Sequence, residues 1–220
     1  RSDGLLIKEL LRVDKIRSIT LVDIDESIIE YAKNDQDMKK MNNSSLSNSR
    51  VKIIVDDGFT FAKKTKNKYD AIFLDLPIPT TIDLSKLYSK EFYYFLRRIL
   101  KDNDSFIVMD SPIFDESIIK NSNKEIRLIN NIIFSTLSFS GFKSIRPFVD
   151  KYKFPFLFIK ENDVTINKMI DSNSLNGYMD KNLTEVIIKN NDELNIQYII
   201  DDEFVNSVFK PQKMPVFNPF

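Results

Sequence analysis

The 220-residue chain contains no cysteine and no histidine. Without cysteine it can form no disulfide, thiolate nucleophile or Cys-type zinc site. Without histidine it lacks the usual base near neutral pH and the commonest metal ligand. Ser-His-Asp hydrolysis and His-ligated metal chemistry are therefore excluded for this chain, and proton transfer falls to Asp, Glu, Tyr, Lys or water. Net charge is also absent, with Lys plus Arg at 32 and Asp plus Glu at 32. No global basic field exists to hold a phosphate backbone, so no nucleic-acid partner is expected. Glycine is scarce, at Gly4, Gly58, Gly141 and Gly177, so each one marks a place where backbone geometry matters. No apolar run approaches the roughly 18 residues needed to cross a bilayer, and no signal peptide is visible. What remains, 42% hydrophobic and 29% charged residues, is the composition of a soluble globular domain with a real core.

The segment 68–79, Lys-Tyr-Asp-Ala-Ile-Phe-Leu-Asp-Leu-Pro-Ile-Pro, organises the rest. Residues 69–74 read as a strand buried on both faces of a parallel sheet. Asp75 follows at once, and Pro77 and Pro79 end further ladder pairing. Strands are also predicted over 16–24, 51–55 and 105–109. Helices are predicted over 5–13, 27–33, 59–65, 84–100 and 118–138 from apolar residues at helical spacing. Residues 142–149 and 154–159 read as two closing strands, an antiparallel pair. Residues 34–49, rich in Asn, Ser and Lys, read as a surface excursion with at most a frayed helix. Beyond residue 161 only 183–188 and 196–200 are clearly apolar, and 209–220 read as an extended strap.

Alternating helices and strands imply an α/β fold, a doubly wound, mostly parallel sheet with right-handed crossovers. The domain is expected over 1–165, with 166–220 as a C-terminal extension packed on it. The loop at residues 1–4 precedes a helix but follows no strand. A doubly wound sheet starts near its centre, so this chain is expected to lack its first strand and to continue upstream of Arg1. The remaining strands are then expected to leave an unpaired gap.

Asp3 lies in the first loop, and Asp23, Asp57 and Asp75 lie at successive strand ends. In a parallel sheet those ends share one edge, where ligands bind. An acid after the second strand suits a ribose, one after the third an adenine amino group, and Asp3 a ligand ammonium. Several carboxylates with few cations suggest a cationic ligand rather than a phosphate. Each residue also has a plainer reading. Asp57-Gly58 can be a turn, residues 23–26 a helix start, and Asp75 a cap or turn residue.

These segments resemble the polyamine aminopropyltransferases, the spermidine synthase family. The resemblance rests on Ser2-Asp3-Gly4, on residues 21–26 with Ile28 and Ile29, on residues 55–61, and on residues 69–79 followed by Leu87-Tyr88-Ser89-Lys90-Glu91-Phe92-Tyr93. Ser111-Pro112 and the run at residues 209–215 are similar to the bacterial form whose synthase domain follows a multi-helix membrane segment. The resemblance implies a methyltransferase-like (Rossmann-like) fold and decarboxylated S-adenosylmethionine as co-substrate, with no permanently bound cofactor and no metal, and a small amine such as putrescine as acceptor. It implies that Asp3 and Gly4 meet the aminopropyl end, Asp23 the ribose, and Asp57 and Gly58 the adenine side. Asp75 is then the catalytic base. A cytoplasmic site, a membrane attachment through residues upstream of Arg1 and a homo-oligomer are compatible with it.

The chain departs from the family in four places. Arg1-Ser2 stands where two glycines precede the Asp, Ile78 where Asp-x-x-Asp-Pro has its second acid, and Val108 where a Gln is expected. The acidic and aromatic residues expected before the last strand are replaced around Phe154-Pro155. Two alternatives to an active aminopropyltransferase stay open: a degenerate homologue with a structural or regulatory role, and a small-molecule methyltransferase.

Overall fold

The computed structural model describes residues 2–77, 79–110, 124–150, 152, 154–162, 194, 196 and 198–214. Contacts divide the chain into two compact units, Arg1–Thr65 and Lys66–Phe220.

The first unit runs α1 (Leu5–Leu11), β1 (Ile19–Asp23), α2 (Glu26–Asn34), α3 (Gln36–Asn42), a 3-10 turn at Ser45–Ser47, β2 (Val51–Val55) and α4 (Gly58–Lys64). β1 and β2 pair in parallel, Ile19 opposite Val51 and Asp23 opposite Val55. Ile7, Ala32 and Leu46 form its small core, with Leu11, Ile19, Leu21, Met38, Val51 and Ile53 packed against them. Three of its helices start on an aspartate. Asp25 accepts from the backbone N–H groups of Ser27 and Ile28, Asp35 from those of Asp37 and Met38, and Asp57 from that of Thr60. Each cap satisfies donors that have no partner inside the helix.

Residues 34–49 correct the expectation of a surface excursion. They hold α3 and the 3-10 turn, and they bury Asn42, Ser45 and Leu46. Hydrophobic periodicity misses such a segment because two of its three buried side chains are polar and its helix is set by a cap.

The second unit runs β3 (Ala71–Leu74), α5 (Ile82–Ser85), a 3-10 turn at Lys86–Tyr88, α6 (Lys90–Ile99), β4 (Phe106–Asp110), α7 (Lys124–Phe139), β5 (Ser144–Val149), β6 (Pro155–Lys160) and a 3-10 turn at Asp202–Phe204. Its sheet has the order β3-β4-β6-β5. β3 and β4 are parallel, whereas β6 runs antiparallel to both β4 and β5. The expected antiparallel closing pair is therefore present. The strands fall into two sheets, and no described strand joins β1 to β3.

Two expectations are corrected in this unit. β3 is not buried on both faces: Phe73 is exposed and its neighbours are half-buried, because β3 is the edge of its sheet. The single helix expected over 84–100 is broken at Ser89. The Ser89 hydroxyl accepts from the Phe92 N–H (3.2 Å) and starts α6 afresh. α6 then buries Phe92, Tyr93, Leu96 and Ile99 on one face. Full burial of such side chains contributes about 1.5–3 kcal/mol each. α7 is buried along most of its length and leaves at Gly141, whose φ of +97° favours glycine. Residues 118–123 of that expected helix, and 183–188, lie outside the described residues.

The described part of the C-terminal segment packs on α7 and α6. Tyr198 stacks on Phe134 with ring centroids 3.7 Å apart. Glu91 accepts from the Ser207 hydroxyl (2.7 Å) and the Val208 N–H (3.0 Å). Partial burial alone would raise the Glu91 carboxyl, but those two hydrogen bonds outweigh it and hold the group below its ordinary value. Residues 196–200, noted above as apolar, form neither helix nor strand where described.

Candidate active site

In the first unit three predicted residues gather at the carboxyl end of β1 and β2. Asp23 is the last residue of β1, and its carboxylate is held twice. Oδ1 accepts from the Asp25 N–H (2.9 Å), and Oδ2 accepts a short hydrogen bond from the Ser2 hydroxyl. That second bond ties the Asp3 loop to the strand tip. Asp57 starts α4, one residue past the Asp56 N–H that donates to the Asp23 carbonyl (3.0 Å). Its Oδ2 accepts from the Thr60 hydroxyl (2.9 Å) and N–H (3.2 Å), so the helix-cap reading of Asp57 is correct whatever else it does. A Cβ placed on Gly58 would meet nothing within 4 Å, which leaves that backbone approachable.

The Asp3-Gly4 loop is braced by residues that the sequence did not single out. Asn42, fully buried, donates to the Asp3 carbonyl (2.9 Å), and Ser45 donates to the Gly4 carbonyl (2.7 Å). Asp3 itself accepts from the Leu5 N–H (2.9 Å). Gly4 has φ +80°, and a Cβ there would fall 2.7 Å from the Ser45 hydroxyl, so only glycine fits. No periodic signal could have found Asn42 or Ser45, because their partners lie about 40 residues away in the chain.

In the second unit Asp75 follows the last residue of β3 and is exposed. The next helix, α5, is capped instead by Thr81, whose hydroxyl accepts from the Leu84 N–H (3.2 Å). Asp75 is therefore not that helix's cap, and the described residues among the five that follow it form no turn. Leu74 lies opposite Met109 in the parallel register, which places Asp110, the end of β4, beside Asp75. Strands so paired lie about 4.8 Å apart.

The residue after Asp75 packs on a cluster that holds a buried phenol. Tyr88 is 1% exposed, and its hydroxyl has no hydrogen-bond partner among the described residues. The ring packs with Ile132 and Met214, and Leu76, the residue after Asp75, packs against the same cluster. Burial first, then the charges of Asp110 and Asp75, raises the Tyr88 hydroxyl well above its ordinary value, so it stays protonated. Sequence reasoning missed Tyr88, which reads there as one more apolar position of a helix. Among the described residues no group of three or more acidic side chains is placed to hold a metal ion.

Open α/β sheets bind their ligands at the carboxyl ends of the strands, which is where these carboxylates stand. Residues 2–140 match the family model for the spermine/spermidine synthase domain, and the chain belongs to that family. Over 113 residues it is 38% identical to polyamine aminopropyltransferase 1 of Streptomyces coelicolor, covering 51% of this chain and 21% of that protein. Over 187 residues it is 32% identical to the polyamine aminopropyltransferase of Sulfolobus acidocaldarius, covering 83% of this chain and 57% of that one. The chain thus spans between about a fifth and just over half of these relatives' lengths. Among solved structures, spermidine synthase from Thermotoga maritima superposes with a TM-score of 0.63 at 20% identity, covering 86% of this chain and 62% of that one. A spermidine synthase bound to the transition-state analogue AdoDATO gives a TM-score of 0.66 at the same identity, covering 86% of this chain and 63% of that one. At that identity the likeness shows the fold, which is the methyltransferase-like one expected from the sequence.

Proposed function

We propose that this protein transfers an aminopropyl group from decarboxylated S-adenosylmethionine to putrescine or a related amine. The observation that carries this reading is the position of its carboxylates. Within the span that matches the family, each unit brings acids to the carboxyl end of its own parallel strand pair. Asp3 receives the donor's ammonium, Asp23 its ribose and Asp57 its adenine side, with Gly4 and Gly58 giving backbone access. Asp75 orients the acceptor amine and removes its proton. The amine lone pair attacks the carbon next to the sulfonium, the C–S bond breaks, and methylthioadenosine leaves as a neutral thioether. Most of the acceleration comes from aligning two cations among carboxylates, and the base completes it. A cytoplasmic site belongs to the same proposal, either free or attached to a membrane through residues upstream of Arg1. Among the described residues no helix is long and apolar enough to cross a membrane.

The degenerate-homologue reading is favoured by one contact. Ser2, standing where the family has glycine, puts its hydroxyl on the Asp23 carboxylate that a ribose needs. Incubation of the full-length protein with decarboxylated or ordinary S-adenosylmethionine and a panel of amines separates the readings. Methylthioadenosine release supports aminopropyl transfer, and S-adenosylhomocysteine release would instead make the protein a methyltransferase. No product and no calorimetric binding of either donor would leave the degenerate homologue.

Asp57 can be tested apart from its capping role. Asparagine caps a helix as well as aspartate does. Asp57→Asn should therefore keep the unfolding midpoint while weakening donor binding by about tenfold, the loss of one charged hydrogen bond. Unchanged donor affinity by calorimetry would leave Asp57 a cap and nothing more.

A further inference from the structure

We propose that a basic hollow at the amino end of β1 and β2 binds a small polyphosphate, a molecule carrying two or more linked phosphoryl groups. The hollow lies within the first unit, at the end of its strands opposite Asp23 and Asp57. It does not depend on the aminopropyltransferase reading.

The hollow measures about 610 Å³, within the size of small-molecule sites. Its wall carries Lys8, Arg12, Lys40 and Arg50 against a single acid, Glu9. In a chain of zero net charge this is a local excess of positive charge. The acid is shared, since its carboxylate lies 2.6 Å from Arg12 and 3.7 Å from Lys8. Lys40 has Asp37 at 3.5 Å, but those side chains are 77% and 87% exposed, and such surface pairs hold weakly. Arg50 is half-buried, and it donates to the carbonyls of Ile16 (2.8 Å) and Leu11 (2.6 Å). Those partners are neutral, and among the described residues no carboxylate forms an ion pair with it. A partly buried guanidinium without a counter-ion is costly, and an anion in the hollow supplies one.

The carbonyl bonds give these cations a plainer role, the satisfaction of groups left over at the end of α1. That role needs donors and not charges, so a neutral amide would serve it equally well. What the bonds add is position. They hold the Arg50 guanidinium between α1 and the loop before β1, and the Ile19 N–H fixes its backbone through the Arg50 carbonyl (2.8 Å). Lys8 is tethered through the Met41 carbonyl (3.0 Å). Cations held in advance lose little freedom when a ligand arrives. A guanidinium has five N–H donors, and those not spent on the carbonyls match phosphate oxygens. Several cations around one bounded hollow suit a di- or triphosphate better than a single phosphate. A neutral chain offers no extended basic track for a nucleic acid.

Inorganic tripolyphosphate, titrated into the full-length protein at about 0.15 M salt, should bind one to one with a Kd below about 100 μM by calorimetry. It should also raise the unfolding midpoint. Orthophosphate should bind at least about tenfold more weakly. ATP carries the same triphosphate, and binding tighter than tripolyphosphate makes the ligand a nucleotide, whereas weaker binding makes it the inorganic chain; either supports the site. Lys40→Gln alone should weaken tripolyphosphate by about threefold, and Lys8→Gln with Lys40→Gln by about tenfold or more. Lys210→Gln with Lys213→Gln removes the same charge from two exposed lysines of the second unit and should leave the affinity within about twofold. Equal weakening by the two pairs, or none by the first, overturns the proposal, because the anion is then held by overall charge or elsewhere. No binding up to about 1 mM overturns it as well. So does a single-stranded oligonucleotide that displaces tripolyphosphate at lower concentration than ATP, which would make this face a nucleic-acid surface.

Discussion

Asp75→Asn in the full-length protein should lower kcat by about 100- to 10,000-fold, the usual contribution of a positioned general base. Donor affinity should change by less than about threefold, since Asn keeps the volume and Asp75 is assigned to the acceptor. The structure removes one competing explanation for such a loss. Thr81 caps α5, so the substitution takes no cap from the following helix. The residue is exposed at the end of an edge strand, so its amide need not be buried unpaired. Methylthioadenosine release under saturating amine reports kcat, and calorimetry with the donor alone reports binding. Turnover within tenfold of wild type would take the base role away from Asp75. An equal loss of donor affinity would move it to the donor side.

The second large effect concerns stability. Asn206→Ala should cost about 2–5 kcal/mol, read as a lower urea midpoint at unchanged slope. The side chain is fully buried and makes three hydrogen bonds. Its amide donates to the carbonyls of Ser85 and Tyr88, and its Oδ1 accepts from the Gln212 N–H (2.8 Å). Alanine leaves two carbonyls and one N–H without those partners. The backbone bonds of residue 206, from its N–H to the Thr136 hydroxyl (2.9 Å) and from the Lys90 N–H to its carbonyl (2.8 Å), remain. The loss should therefore fall on the Tyr88 turn and the segment after 206 rather than on α7. A cost below about 1 kcal/mol, near the scale of one ordinary hydrogen bond, would mean that water replaces all three partners.

The two predictions differ in how far the sequence alone could have led to them. Asp75 was legible because its signal is local. A short run of β-formers, an acid at its end and two prolines within four residues fix both a strand and its termination. The same holds for Asp23, for Asp57 and for the closing pair β5 and β6. Asn206 was not legible, since its amide meets carbonyls 118 and 121 residues away. The break at Ser89 was missed for a related reason. Residues 84–100 carry apolar side chains near helical spacing throughout, and only the Ser89 hydroxyl on the Phe92 N–H decides that a second helix starts there.

By itself, then, the sequence determined which residue types could carry chemistry, where the strands of an α/β fold end, and that aspartates stand at those ends. These follow from composition and from short-range preferences of the backbone. Only tertiary structure decided that polar residues 42 and 45 brace the Asp3 loop, that Ser2 holds Asp23, and that Tyr88 is buried against Ile132 and Met214. Those facts depend on burial and on hydrogen bonds between segments remote in the chain. A group left without water must find its partner wherever packing brings one, and no local pattern records where that is.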